Sequence, residues 1–240
     1  MGNRIRVRNP TKTLTQPEVF DKILSEGNLT VIAGRRGSGK TGFGFSVLEY
    51  AHKQKRPVYI IGFPDKMDDL LPSYVISVSS LSDVPNGSFA LLDEAILQYN
   101  ARQWNTNLSD LSLVVVADLA RHKNLSIIFV SVNLAMIDIN AVRTINTLIL
   151  KEPSLLQEHT ERAFMKKFLK VVASVFNSIP HKDRPAYSYI FDDRLEGLVK
   201  TELPAFWSEE LSRSWKDYAS KDKVEIREST YRIFRPRSGK

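Results

Sequence analysis

Apolar residues fall in short, unbroken runs along the first 150 residues of this chain, separated by stretches with helical spacing. Leu29 to Ala33, Val58 to Phe63, Tyr74 to Val78, Phe89 to Leu92, Ser126 to Val132 and Thr147 to Leu150 read as strands. Several are continuous rather than alternating. That pattern marks strands covered on both faces, as in a parallel sheet between helices. Helical spacing is expected over Gly42 to Lys53, about Ser109 to His122 and about Leu134 to Ile145. The alternation argues for a three-layer α/β fold, a mostly parallel central sheet flanked by helices.

The pattern changes at both ends. Residues 1–27 read as a basic arm with one short helix around Pro17 to Ser25. After Pro153 a long amphipathic helix is expected, about Leu155 to Asn177. It would turn Phe164, Phe168, Val171, Val172 and Val175 to the core and Lys166, Lys167 and Lys170 to solvent. Ala186 to Phe191 reads as a strand, with Leu195 to Thr201 as its hairpin partner. A helix near Ser208 to Tyr218 follows, then a basic tail from Lys221. The expected organisation is an arm (1–27), a core (28–220) with a small α/β extension from about 153, and a tail (221–240).

Composition sharpens this in a few places. Hydrophobic residues make up 42% of the 240 residues, enough for a sizeable core. There is no cysteine, which excludes disulfides, thiolate metal sites and cysteine nucleophiles. His52, His122, His159 and His181 show no metal-ligand spacing. The net charge of +7 is compatible with a nucleic acid or an anionic membrane surface as partner. The stretch from Met1 to Arg8 alternates arginine but has no apolar core, so no secretory signal is expected. The apolar runs are too short for a transmembrane segment, and the chain reads as soluble.

One stretch gives the chemistry its direction. Gly34, Arg35, Arg36, Gly37, Ser38, Gly39, Lys40 and Thr41 fit the P-loop pattern G-x-x-x-x-G-K-[ST], followed by Gly42. A strand feeds the loop and a helix leaves it, as the mechanism requires. Backbone N–H groups of the loop and first helical turn would point at phosphates, where the helix dipole favours negative charge. The expected ligand is ATP with Mg²⁺, with Lys40 on the β- and γ-phosphates and the Thr41 hydroxyl on the metal.

A second strand must deliver an acid to that metal, and the Phe89 run ends in Asp93-Glu94. Asp93 reads as the Walker B acid. Glu94 reads as the general base for an attacking water, set against a solvated acid in a helix's first turn. An acid pair of this kind favours hydrolysis over transfer to a small substrate. The third buried strand leads to Asn133, which reads either as a sensor of the γ-phosphate or water, or as the cap of the next helix. Positive charge for the transition state is expected from Arg102 or Arg121, acting in trans, with Arg143 a further candidate; a solvated surface role is the alternative for each.

With these residues in place, the chain resembles the FtsK/HerA-like P-loop motor ATPases, and within them the viral genome-packaging ATPases and Zot-like morphogenesis proteins. The likeness rests on Gly34 to Thr41, Leu91 to Ala95, the block Ala120 to Asn133, and Leu203 to Ser212. Many family members place Gln where this chain has Asn133. The resemblance implies a RecA-like (ASCE) core with the sensor strand inserted between the Walker A and Walker B strands. It also implies a homo-oligomeric, hexameric ring with ATP at subunit interfaces and double-stranded DNA in the channel, gripped without reading sequence. Arg4, Arg6, Arg8, Arg232, Arg235 and Arg237 are candidates to line it. A capsid or virion membrane protein is an expected docking partner, and the host cytoplasm or the virion the expected location. A Zot-like morphogenesis or export ATPase, a small-molecule P-loop kinase and a nucleotide-gated binding protein are the alternatives.

Overall fold

The computed structural model describes residues 12–61, 69–93, 113–131, 143–154 and 163–212. Its strands are β1 (Thr13–Leu14), β2 (Leu29–Ala33), β3 (Val58–Ile61), β4 (Val75–Val78), β5 (Phe89–Asp93), β6 (Ser126–Val130), β7 (Thr147–Leu150), β8 (Tyr187–Asp192) and β9 (Glu196–Lys200). They form one sheet in the order β1-β9-β8-β7-β2-β6-β5-β3-β4. The block from β7 to β4 is parallel throughout. β8 runs antiparallel to both neighbours, and β1 lies parallel to β9.

The helices are α1 (Gln16–Ile23), α2 (Lys40–Lys53), α3 (Leu113–His122) and α4 (Ala163–Asn177). Successive strand residues point to opposite faces, and the core divides accordingly. Leu29, Val31, Ile127 and Phe129 pack under α3 and α4 on one face. Ile32, Ile60, Leu91, Ile128 and Ile149 pack under α1 and α2 on the other. This is the three-layer α/β arrangement expected from the unbroken apolar runs. All of β2, β3, β5 and β6 is buried.

The elements differ from the expected ones in instructive ways. α2 starts at Lys40, two residues earlier than hydrophobic spacing indicates, because Lys40 and Thr41 of the motif form its first turn. In α4 the buried line is Met165, Leu169, Val172 and Phe176. Phe168, Val171 and Val175 flank it, half-buried. The apolar stripe is wide enough for either centreline, and contact with the sheet selects one. The start expected for this helix, from Leu155, and most of the one expected over Leu134 to Ile145 lie outside the described residues.

The described segments before β2 and after β7 join the same sheet. β8 pairs with β7, with Ile190 opposite Ile149. β1, not foreseen from sequence, adds to the far edge with Leu14 beside Val199. α1 is capped by the Thr15 side chain, which accepts from Glu18 N at 3.4 Å. It buries Val19, Phe20 and Ile23, and Phe20 meets Phe43 of α2 edge-on at 5.6 Å. Residues 209–212 are helical, and Leu211 is buried against the same core.

Candidate functional site

The strand order sets the site. β2 leads into the P-loop and β5 carries Asp93, with β6 between them. Ile32 of β2 and Asp93 of β5 both register against Val130 of β6, so three strands end level at their carboxyl edge. Open α/β sheets bind their ligands at that edge.

Gly39 caps α2 with φ 87 and ψ 19, in the left-handed region. Any side chain there would be strained. A Cβ would also stand 2.4 Å from the Pro185 carbonyl oxygen. No side chain caps α2 at Gly39, so the positive end of the helix is presented by backbone N–H groups. Lys40 is buried, and its Nζ donates to the Gly34 and Arg35 carbonyls at 2.9 and 3.0 Å. Ser38 Oγ is buried, with no hydrogen-bond partner among the described residues. Arg36 and Gly37 are exposed at the loop's tip, and Gly42 is buried in the first turn of α2.

Across β6, Thr41 Oγ1 donates to Asp93 Oδ2 at 3.4 Å. Asp93 is only 4% exposed. A hydroxyl and a carboxylate side by side are hard oxygen donors of the kind a divalent cation takes. Among the described residues, then, Gly34 to Gly42 and Asp93 lie together at this edge of the sheet.

Other candidates stand elsewhere. Arg121 is exposed at the end of α3, its Cα 3.5 Å from where a Cβ on Gly27 would lie. That is the amino edge of the sheet, about 16 Å or one strand length from the P-loop. Arg143 is exposed in the turn before β7, at the same edge. Within one chain neither reaches the loop. Glu94, Arg102 and Asn133 lie outside the described residues.

Two neighbours of the loop were not singled out from sequence. Lys151 and Glu152 follow β7 directly, and the Lys151 N–H donates to Ala33 O at 2.8 Å. Lys151 is almost fully buried; its Nζ donates to the Pro185 and Tyr187 carbonyls at 2.8 and 3.1 Å and sits 5.5 Å over the Phe43 ring. Burial, and then the nearby Lys40 charge, push its pKa down to about 7. Glu152 bridges two arginines. Its Oε2 accepts from Arg35 Nε and Nη2 at 2.8 and 2.6 Å, and its Oε1 from Arg184 Nη1 at 2.7 Å. Its carbonyl also accepts from Arg35 N at 3.0 Å. Burial alone would raise the Glu152 pKa; the hydrogen bonds from Arg184 and Arg35, with their charges, outweigh it and hold the pKa below the ordinary value. The signal available in sequence was a charged pair at the carboxyl end of an apolar parallel strand.

The strand order, with β6 set between the strand that feeds the P-loop and the strand that carries Asp93, is that of a RecA-like α/β fold. No protein-family model matches the chain, and no curated protein matches it in sequence. Solved structures similar to it include B204, the DNA-packaging ATPase from Sulfolobus Turreted Icosahedral Virus. That likeness has 16% identity and a TM-score of 0.46, over 74% of this chain and 99% of that one. The genome packaging NTPase B204 from Sulfolobus turreted icosahedral virus 2, in complex with AMPPCP, has 12% identity and a TM-score of 0.48, over 74% and 99%. The pCW3 conjugation coupling protein TcpA has 12% identity and a TM-score of 0.49, over 78% of this chain and 63% of that one. The fold is read from the strand order, independently of these.

Proposed function

We propose that the chain is an ATP-hydrolysing motor that translocates or packages double-stranded DNA, with viral genome packaging as its setting. The observation that carries the hydrolytic half is the Thr41–Asp93 contact across β6. Two oxygens, one from the first turn of α2 and one from the end of β5, converge beside a P-loop, and Mg²⁺ bound with ATP is the ligand that both oxygens suit.

Bound Mg·ATP supplies the phosphoanhydride to be broken and a metal ion that draws charge from it. The chain's own residues do the rest. N–H groups of Gly37 to Gly42 bind the phosphates, and Lys40 exchanges its two carbonyl partners for phosphate oxygens. Thr41 and Asp93 would hold the metal. Glu94 takes a proton from the attacking water at its carboxylate, and Asn133 orients that water. Arg121 lies at the amino edge of its own sheet, so as an arginine finger it serves a neighbour's site; Arg102 is the alternative finger. This reading requires a homo-oligomer, for which a hexameric ring is proposed.

The DNA half is supported by the net charge of +7 and by the family-like blocks around Arg121 and beyond Leu203. Contacts to phosphates position a duplex without reading its sequence. The test is ATPase rate with and without duplex DNA across a salt series, with Lys40→Ala as control. Duplex DNA is expected to stimulate wild-type turnover, with the effect fading as salt rises. A duplex that neither binds nor stimulates at low salt removes the motor reading, while loss of turnover in Lys40→Ala keeps the ATPase.

A further inference from the structure

Lys151 runs along the P-loop from one end to the other. Gly34 lies against its stem, where an added Cβ would stand 2.6 Å from Lys151 Cβ. Gly39 lies against its tip, where an added Cβ would stand 3.5 Å from Nζ. The amine is thus beside the turn whose backbone N–H groups present the positive end of α2.

Nothing around Nζ balances a positive charge. Its hydrogen-bond partners are two neutral carbonyls, those of Pro185 and Tyr187. Among the described residues no carboxylate pairs with it, and Glu152, its neighbour in sequence, is committed to Arg35 and Arg184. The other charged groups near it are Lys40 on α2, and Lys182, Asp183, Lys200 and Glu202, which line the same cavity beside the loop. Lys200 rests over the Tyr187 ring at 6.0 Å. After burial itself, Lys40 weighs most on this amine, and it disfavours a second positive charge. A buried amine beside a like charge gives up its proton readily. Neutral, Lys151 still has the two N–H donors that its two carbonyls need.

A triphosphate on the loop reverses this balance. It brings net negative charge to the N–H groups beside Nζ and compensates the Lys40 charge. For unit charges about 6 Å apart at an effective dielectric constant of about 20, the interaction amounts to about a 100-fold change in proton affinity. We propose that Lys151 is a second cation of the phosphate site, its amine neutral when the loop is empty and protonated when a triphosphate is bound. The proton comes from solvent on binding and returns to solvent on release. The inference rests on the triphosphate reading of the P-loop. It adds to that reading a charge from the end of β7, outside both Walker motifs, and a proton in the binding equilibrium.

The test counts that proton. Mg·ATP is titrated into the full chain by calorimetry, in saturating Mg²⁺, in two buffers of different ionisation enthalpy at each pH. With an empty-site pKa of about 7 and a rise of about 100-fold in proton affinity, wild type is expected to take up about 0.8 proton per site at pH 8 and about 0.1 at pH 6. By the same linkage its ATP affinity falls about tenfold from pH 6 to pH 8. Lys151→Met is expected to take up no proton and to keep one affinity across that range. Binding without proton uptake at pH 8, or undiminished uptake in Lys151→Met, overturns the proposal and leaves the triphosphate reading standing. Failure of the wild-type chain to bind Mg·ATP at either pH removes that reading and this proposal with it. If Lys151→Met does not fold, the wild-type series decides, since equal uptake at pH 6 and pH 8 also overturns the proposal.

Discussion

Lys151 offers the sharpest check on the geometry around the P-loop. Its amine donates to two carbonyls, and its burial, then the nearby Lys40 charge, lower its pKa from 10.5 to about 7. A neutral amine has two N–H donors, enough for the Pro185 and Tyr187 carbonyls, so losing the third proton costs no contact. The sign follows from linkage. Between pH 7 and 10.5 the unfolded chain holds a proton at this lysine that the folded chain has released, so stability rises with pH across that window. Below about pH 7 both states are protonated and the cost of the buried charge is fully present. The slope is about 1.4 kcal/mol per pH unit for one proton. From pH 7 to 9 the gain comes to about 2 kcal/mol, an order-of-magnitude figure. Lys151→Met keeps the length and removes the titration. Urea unfolding followed by tryptophan fluorescence at pH 7 and pH 9 gives both curves. Wild type is expected to gain about 2 kcal/mol more than Lys151→Met between the two values. Equal pH responses would refute the buried, neutralised lysine.

Three further outcomes follow. Gly39→Ala combines a strained left-handed φ of 87° with a 2.4 Å approach to Pro185 O, so it is expected to cost about 2 kcal/mol or more and to abolish nucleotide binding, read by thermal melting and calorimetry. Glu152 has a depressed pKa, so its contribution is present above the ordinary carboxylate value and is lost as pH falls below it. Glu152→Gln is therefore expected to flatten the loss of stability on acidification; an unaltered acid limb in urea titrations would count against the Arg35–Glu152–Arg184 bridge. Glu94→Gln is expected to bind ATP yet hydrolyse it at least 100-fold more slowly, in line with the worth of a general base. Unchanged turnover in a phosphate-release assay would reject that role.

Much of the architecture was legible because each core strand is buried on both faces and so must be apolar throughout. Leu29 to Ala33, buried at every position, is the clearest case. The P-loop was legible because only a Gly-rich turn into a helix permits that backbone. β1 was not, since a short edge strand such as Thr13–Leu14 carries too few residues to show a pattern. In α4 the apolar stripe is broad, and only the sheet beneath shows which side of it is central.

From its sequence alone the chain declares its layers, its phosphate loop and the acid that follows Phe89 to Leu92, since local periodicity and motif spacing carry them. Tertiary structure decided which residues meet. It laid β6 between β2 and β5, so that Thr41 and Asp93, 52 positions apart, touch. It folded the chain after Pro153 back onto β7, bringing Pro185 over Gly39, Arg184 onto Glu152 and Leu203 to Gly42. Such contacts depend on strand order and on which face each element buries. A linear pattern does not encode strand order, because any parallel neighbour satisfies the same hydrogen bonds and the same apolar face.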